Sequence, residues 1–524
     1  MKENPPEIQN TNTYQRREVP IVKNTVRHIA LCAIACAGLG TGIAEAKPAW
    51  QAHSGGRAAD AARGGIAQTS DGGFITVGES QSFGAGDYDV YLVKTDFCGA
   101  FEWAMAYDIG GNDHGRSIKE TSDGGYIITG ETENLNNCCS RNDAFLMKLA
   151  RDGSVEWTNT YGGRNDDGGS DVILYNGRTP GYLIAGASAS FGAGGRDAWL
   201  IATDLAGNVA WSRVYGGASN DAFNGVIQTE NGEIVATGST ASYRPTRPPS
   251  RSLNDLFLVR TDNQGSVIRS CYYGSSAEEV GYSVVEYITD DRDRGQLFVA
   301  GVSTVSVGKG SAYLLRVRAD LSYVTDRVYG GGNTAGIDNF RGLAQGHQSG
   351  ELVALGRSFE PKGRIGGYDV FAVRVNSKLD LITTMIYGGE KDDEGYALVA
   401  GGDEGFGWAG VTNSFTFGSE DMYIGYSLPW LQTLCHESEP SLVSTTPDFH
   451  DIDAPTGQPL VWVQCAARTT AINLSGLRRL YELLCSTCQN GDLPEGEEEL
   501  SYRVPMRAPE GIGMSLTSAM ADAH

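Results

Sequence analysis

Residues 121–130 read TSDGGYIITG, and the same unit continues with DAFLMKL at 143–149, Asp152-Gly153, Trp157 and finally Tyr161-Gly162-Gly163. The Ser-Asp-Gly-Gly segment has the residues of a tight turn, with glycine free to take positive φ, and a run of strand-forming side chains follows it. Outward along the chain, the glycine that closes this run recurs: Gly78, Gly130, Gly186, Gly238, Gly301, Gly356 and Gly410. The period is about 55 residues, in the range of blades rather than of short solenoid coils. An acidic residue opens the third run at Asp89, Asp143, Asp197, Asp255, Asp369 and Asp421, with Ser311 in the fifth unit. A third register places Tyr-Gly-Gly at Tyr161, Tyr215, Tyr329 and Tyr387, with Tyr273-Gly274-Ser275 and the stretched YDIGG of 107–111 as variants.

Each unit holds four short runs rich in Val, Ile, Tyr and Phe separated by turn residues, here called A to D. The A to B link is Ser-Asp-Gly-Gly and the C to D link is Asp-x-x-Gly, as at Asp96 to Gly99, Asp204 to Gly207 and, one residue longer, Asp262 to Gly265. Runs such as VYLV at 90–93 and LFLV at 256–259 are apolar on both faces, as a sheet sandwiched between two others requires. Helical periodicity is absent from this region. The reading is an all-β fold, a seven-bladed β-propeller of four-stranded blades spanning residues 47–430.

The last unit supplies only A, B and C, ending near Leu428 before Pro429 and Trp430 break the pattern. At the other end, WQAHSGG at 50–56 aligns with WSRVYGG at 211–217, an orphan D strand. Residues 48–54 are therefore expected to complete blade seven and close the ring, which leaves no exposed sheet edge at the seam.

The formal charge of −23 excludes a phosphate-backbone binder, because affinity for nucleic acid comes from clustered Lys and Arg. Residues 1–46 place basic side chains ahead of an apolar run, Ile29 to Ile43, and end in Ala44-Glu45-Ala46, the pattern of a cleaved signal peptide. The expected setting is extracytoplasmic, whether secreted, periplasmic or cell-surface, with no membrane insertion after cleavage and a monomeric product. Eight cysteines remain beyond that point. In an oxidising compartment they read as disulfide candidates, chiefly Cys138, Cys139, Cys435, Cys465, Cys485 and Cys488, with pairing open. Residues 431–490 read as a small cysteine-stapled appendage with a short helix over 474–484, and 491–524 as an acidic, disordered tail.

The repeat resembles the propeller repeats of exported and cell-surface bacterial and archaeal proteins, through Ser-Asp-Gly-Gly, Asp-x-x-Leu-x-Lys, Asp-x-x-Gly and Trp-x-x-x-Tyr-Gly-Gly. That resemblance implies the fold and an extracytoplasmic setting and brings no catalytic residues. The short A to B and C to D turns mark one face; the longer D to A and B to C loops mark the other, where a protein or glycan partner is expected. Candidate binding residues there are Asp113, Asp166, Asp167, Asp221, Glu279 and Asp392, a ring of carboxylates at the channel mouth, and Arg244, Arg247 and Arg251 in the one basic loop. A residue repeated in every blade also has a plain structural use, capping its own turn. No cofactor is called for. Calcium would suit such carboxylates, although no loop has the spacing of a calcium hand.

The enzymatic alternatives are a quinoprotein-like dehydrogenase and a glycan hydrolase. The hairpins from Asp96 to Trp103 and Asp204 to Trp211 resemble the tryptophan docking repeat of quinoprotein dehydrogenases, and Cys138-Cys139 their vicinal disulfide. The tryptophans serve equally to staple adjacent blades. Ser-Asp-Gly-Gly lacks the closing Trp of a sialidase Asp box, and His53, His114, His347, His436 and His450 share no metal-ligand spacing.

Overall fold

The computed structural model describes residues 49–431 except 85–86, 135–140, 243–253, 275–277, 290–292, 307–308, 331–336, 347–349, 360–366, 403–404, 417–418 and 430, together with 15–17, 437–438, 443–445 and 450–451. Arg244, Arg247, Arg251, the six disulfide candidates named above and the expected helix lie outside the described residues. Seven antiparallel four-stranded sheets form a propeller. Blade 2 is typical, with A Asp113–Glu120, B Tyr126–Asn134, C Arg141–Leu149 and D Val155–Tyr161. Blade 1 has A in two pieces (Asp60–Ala61 and Ile66–Gln68) and ends with D at Phe101–Asp108. Blades 3 to 6 begin with A strands at Asp167–Asn176, Asp221–Gln228, Glu278–Glu286 and Asn339–Gln345, and end with D strands at Val209–Tyr215, Val267–Gly274, Tyr323–Gly330 and Leu381–Tyr387.

Blade 7 takes A, B and C from Asp393–Ala400, Phe406–Thr412 and Asp421–Ser427, and its outer strand is Trp50–Ser54. Trp50 pairs with Tyr426 and Ser54 with Met422, so the expected closure is present in full register. No helix among the described residues is long and apolar enough to cross a membrane.

The apolar side chains of strands B and C are buried, and they gather into seven clusters, each shared by two adjacent blades. The core is therefore a set of blade junctions arranged around the axis. The recurring motifs stitch these junctions. The Tyr of Tyr-Gly-Gly donates its hydroxyl to a carbonyl in the C to D turn of the next blade: Tyr107 to Gly153 at 2.8 Å, Tyr161 to Gly207 at 2.7 Å, Tyr215 to Gly265 at 2.7 Å. Tyr273, Tyr329 and Tyr387 reach Leu321, Leu379 and Leu431, which take the positive φ that glycine occupies in the other turns. Leu431 thus extends the pattern past the break at Pro429. The lysine of Asp-x-x-Leu-x-Lys is buried and returns to the Ser-Asp-Gly-Gly turn of its own blade, Lys94 to Asp71 and Lys148 to Asp123. Trp103 packs on Tyr126 and Trp157 on Tyr182 across junctions, which is the stapling use of the tryptophans.

Four short strands add a fifth member to outer edges. Gln15–Arg17 pairs with strand D of blade 1. Past the ring, Glu437–Ser438, Val443–Thr445 and His450–Asp451 pair in turn with strands D of blades 6, 5 and 4. These three described pieces thus meet blades 6, 5 and 4 in an order opposite to that of the chain.

Candidate functional site

The glycine that counts the blades has a mechanical role. A Cβ at Gly78, Gly130, Gly186, Gly238, Gly301, Gly356 or Gly410 would collide with a strand A carbonyl, that of Ala61, His114, Gly168, Ala222, Val280, Asn339 or Glu394 respectively. Only glycine tolerates that approach. Directly beyond it strand A bulges, skipping one residue in the pairing of blades 2 to 7: Arg116, Ser170, Asn224, Tyr282, Arg341 and Tyr396. In blade 1 the strand opens wider, and Arg63 takes the equivalent place. A bulge leaves one residue out of the ladder and re-aims its side chain. All seven bulge residues are half-buried. Strand A is innermost, so these side chains ring the axial channel on the looped side.

Arg63 donates to Glu79 at 2.8 Å and to Glu420 at 2.7 Å. Glu79 also pairs with His114 at 2.5 Å, and Arg116 pairs with Glu131 at 2.8 Å. Burial would push Glu79 up, but the His114 hydrogen bond, the charges of Arg116 and His114 and the Arg63 hydrogen bond hold it at about 2. Asn224 donates to the Gly281 carbonyl at 2.8 Å. On the opposite side Arg357 pairs with Glu394 at 2.5 Å, and the Tyr396 hydroxyl donates to Glu394 at 2.9 Å. The Arg341 guanidinium lies 4.7 Å from the ring centres of both Tyr282 and Tyr396, on the two neighbouring blades.

The carboxylates expected at the channel mouth are placed differently. Asp113, Asp167, Asp221 and Glu279 are all essentially inaccessible. Asp113 accepts the Ile109 N–H at 2.6 Å, Asp167 that of Gly163 at 2.8 Å and Asp221 that of Gly217 at 2.9 Å, so each closes the turn that precedes it. Glu279 accepts the Ser303 hydroxyl at 3.2 Å. Asp166 and Asp392 are accessible, and each accepts a backbone N–H at the entry to strand C of the preceding blade, Asn142 at 3.3 Å and Tyr368 at 2.8 Å. These groups brace the loops. The channel ring stands three residues beyond each junction acid, a spacing visible in the sequence only once the bulge is known.

Among the described residues, one acidic trio offers three ligand oxygens within 4.8 Å of one another: Asp89, Asp108 and Asp113. It arises where YDIGG replaces Tyr-Gly-Gly and brings Asp108 into the junction of blades 1 and 2. Burial pushes Asp113 up to about 7, and the Asp108 charge adds to the rise. The trio can hold a proton or a hard cation such as calcium. Asp113 gives one of its oxygens to the Ile109 and Gly110 N–H groups, the same turn closure found in the other blades.

No family model matches the chain. It is similar to the regulatory protein FlaEY of Caulobacter vibrioides, 25% identical over 345 residues that cover 56% of this chain and 35% of that protein, so the chain spans about a third of that relative's length. Among solved structures it is similar to Sqt1 from Chaetomium thermophilum (12% identity, 68% of this chain and 80% of that one, TM-score 0.36). The NanB sialidase from Streptococcus pneumoniae gives 9% identity over 72% of this chain and 70% of that one, with TM-score 0.36. An exo-beta-1,3-galactanase from Phanerochaete chrysosporium gives 13%, 72%, 96% and 0.32 for the same quantities.

Proposed function

We propose that this chain is a non-enzymatic binding propeller of the extracytoplasmic space, receiving a protein or glycan partner at the looped end of its axial channel. One observation carries the reading: seven repeats built to one plan present seven half-buried side chains to one space, and those side chains differ from blade to blade. Turn caps, junction tyrosines and buried lysines repeat because they serve the scaffold. The bulge positions hold three Arg, two Tyr, one Asn and one Ser, the mixture of planar donors and hydroxyls found in specific polar sites. The pattern of residues 1–46 supports the setting, and sequencing of the mature protein is expected to begin at Lys47.

Replacing Ser170, one of the small bulge residues, by Trp fills the channel from blade 3. Capture of partners from an extracellular fraction, or on a glycan array, is expected to be lost in Ser170→Trp and kept in Leu205→Glu, a change on the opposite face where Leu205 is 61% exposed. Retained capture by Ser170→Trp together with loss in Leu205→Glu would move the site to the hairpin face.

A hydrolase is the second reading, and the Tyr396–Glu394 pair is what favours it. A tyrosine nucleophile needs its phenol acidified. Burial instead pushes Tyr396 up, so the pair keeps its proton and serves binding. Release of the aryl group from nitrophenyl glycosides that disappears in Glu394→Gln would replace the binding reading.

A further inference from the structure

Resting on the binding reading above, we infer that Arg341 is an anion-binding residue and that the channel takes an acidic sugar chain, a hydroxyl-rich ligand carrying isolated carboxylates. Three bulge residues are cationic, and two are already neutralised: Arg63 by Glu79 and Glu420, Arg116 by Glu131 with Glu79 nearby. Arg341 makes no ion pair and donates no hydrogen bond among the described residues, and its Nε is buried without an acceptor. The rings of Tyr282 and Tyr396, on the two flanking blades, both attract the cation and hold it in place. They leave its N–H donors unmet. A guanidinium held against two rings and lacking acceptors is prepared for a planar bidentate anion, and carboxylate is the group that matches its fork.

The rest of the ring decides between classes of anion. The chain carries −23, so a polyanion is repelled by the body and finds a single unneutralised cation in the ring. One carboxylate among neutral hydroxyls suits that balance; a polyphosphate or a run of acidic residues does not. Ser170, Asn224, Tyr282, Tyr396 and the Arg357–Glu394 pair offer the hydroxyl, amide and charged groups that exchange hydrogen bonds with sugar hydroxyls.

Calorimetric titration of the full chain with a neutral xylo-oligosaccharide bearing a single glucuronate (the uronate), its methyl ester and an oligoglutamate peptide tests this. The uronate is expected to bind, the ester to bind at least roughly tenfold more weakly, and Arg341→Gln to lose roughly 10- to 100-fold on the uronate alone, as loss of a charged hydrogen-bonded pair implies. Arg341→Lys should recover part of that loss. Equal affinity for acid and ester, or tighter binding of the peptide, overturns the inference. Should Arg341→Gln fold poorly, phenylglyoxal labelling of the unaltered protein decides: uronate must slow modification of Arg341 as read by peptide mass, and absence of protection overturns the inference. If neither sugar binds while Ser170→Trp still abolishes capture of another partner, the acidic-sugar inference fails and the channel-binding reading stands. If Ser170→Trp changes no binding, the binding reading itself fails.

Discussion

Gly130 illustrates how one absent methyl group governs both a junction and the ring. A Cβ there would press on the His114 carbonyl, so Gly130→Ala must push strands A and B of blade 2 apart just where Arg116 leaves the ladder. The expected loss is about 1–3 kcal/mol in urea denaturation, the usual range for overpacking. An unchanged midpoint would mean that the bulge has slack. Asp326 gives a different test. It is fully buried in strand D of blade 5, accepts the Tyr323 hydroxyl at 2.7 Å, and burial pushes it up to about 7. The folded chain therefore keeps this proton to near neutrality while the unfolded chain releases it near pH 4, so this contribution is complete in acid and falls as pH rises from 4 to 7, by at most about 1.4 kcal/mol per pH unit. Asp326→Asn should flatten that part of the stability profile relative to the parent; an identical slope would rule the group out. The glycine register was readable from sequence because it is an identity. Its consequence, the bulge, was not, since it belongs to the pairing of two strands. The junction acids Asp113, Asp167 and Asp221 repeat as identities and so stand out in the sequence, whereas the bulge residues three positions on vary from blade to blade and leave no pattern.

At the level of strands, Trp50–Ser54 carries the seam. Its motif matched that of an ordinary D strand, so the closure was legible in advance. Trp50 is 4% exposed and lies in the junction of blades 7 and 1 against Phe74. Trp50→Ala should cost about 3–5 kcal/mol. Removal of the chain through Ser54 should lower the melting temperature by at least about 5 °C; equal melting curves would show that blade 7 holds without it. The perimeter strands were invisible for a physical reason. Two or three residues joined by main-chain hydrogen bonds impose no side-chain pattern, and 437–451 carries none of the repeat motifs.

For the molecule as a whole, stability resides in seven junctions closed into a circle, so each blade is held on both sides and loss of any junction weakens two neighbours. The perimeter strands contribute differently, because an unpaired D strand is an invitation to another chain. A chain ended after Leu431 should melt within a few degrees of the full one and yet self-associate more with rising concentration, read by light scattering; unchanged behaviour would show that blades 4 to 6 need no cover. Closure also has a consequence in time. Trp50–Ser54 is made early, and its partner Asp421–Ser427 follows about 370 residues later, a delay on the order of 20 to 75 s at ordinary rates of synthesis. Through that interval the first strand has no sheet to join, and the circle completes only when the two distant parts of the chain meet.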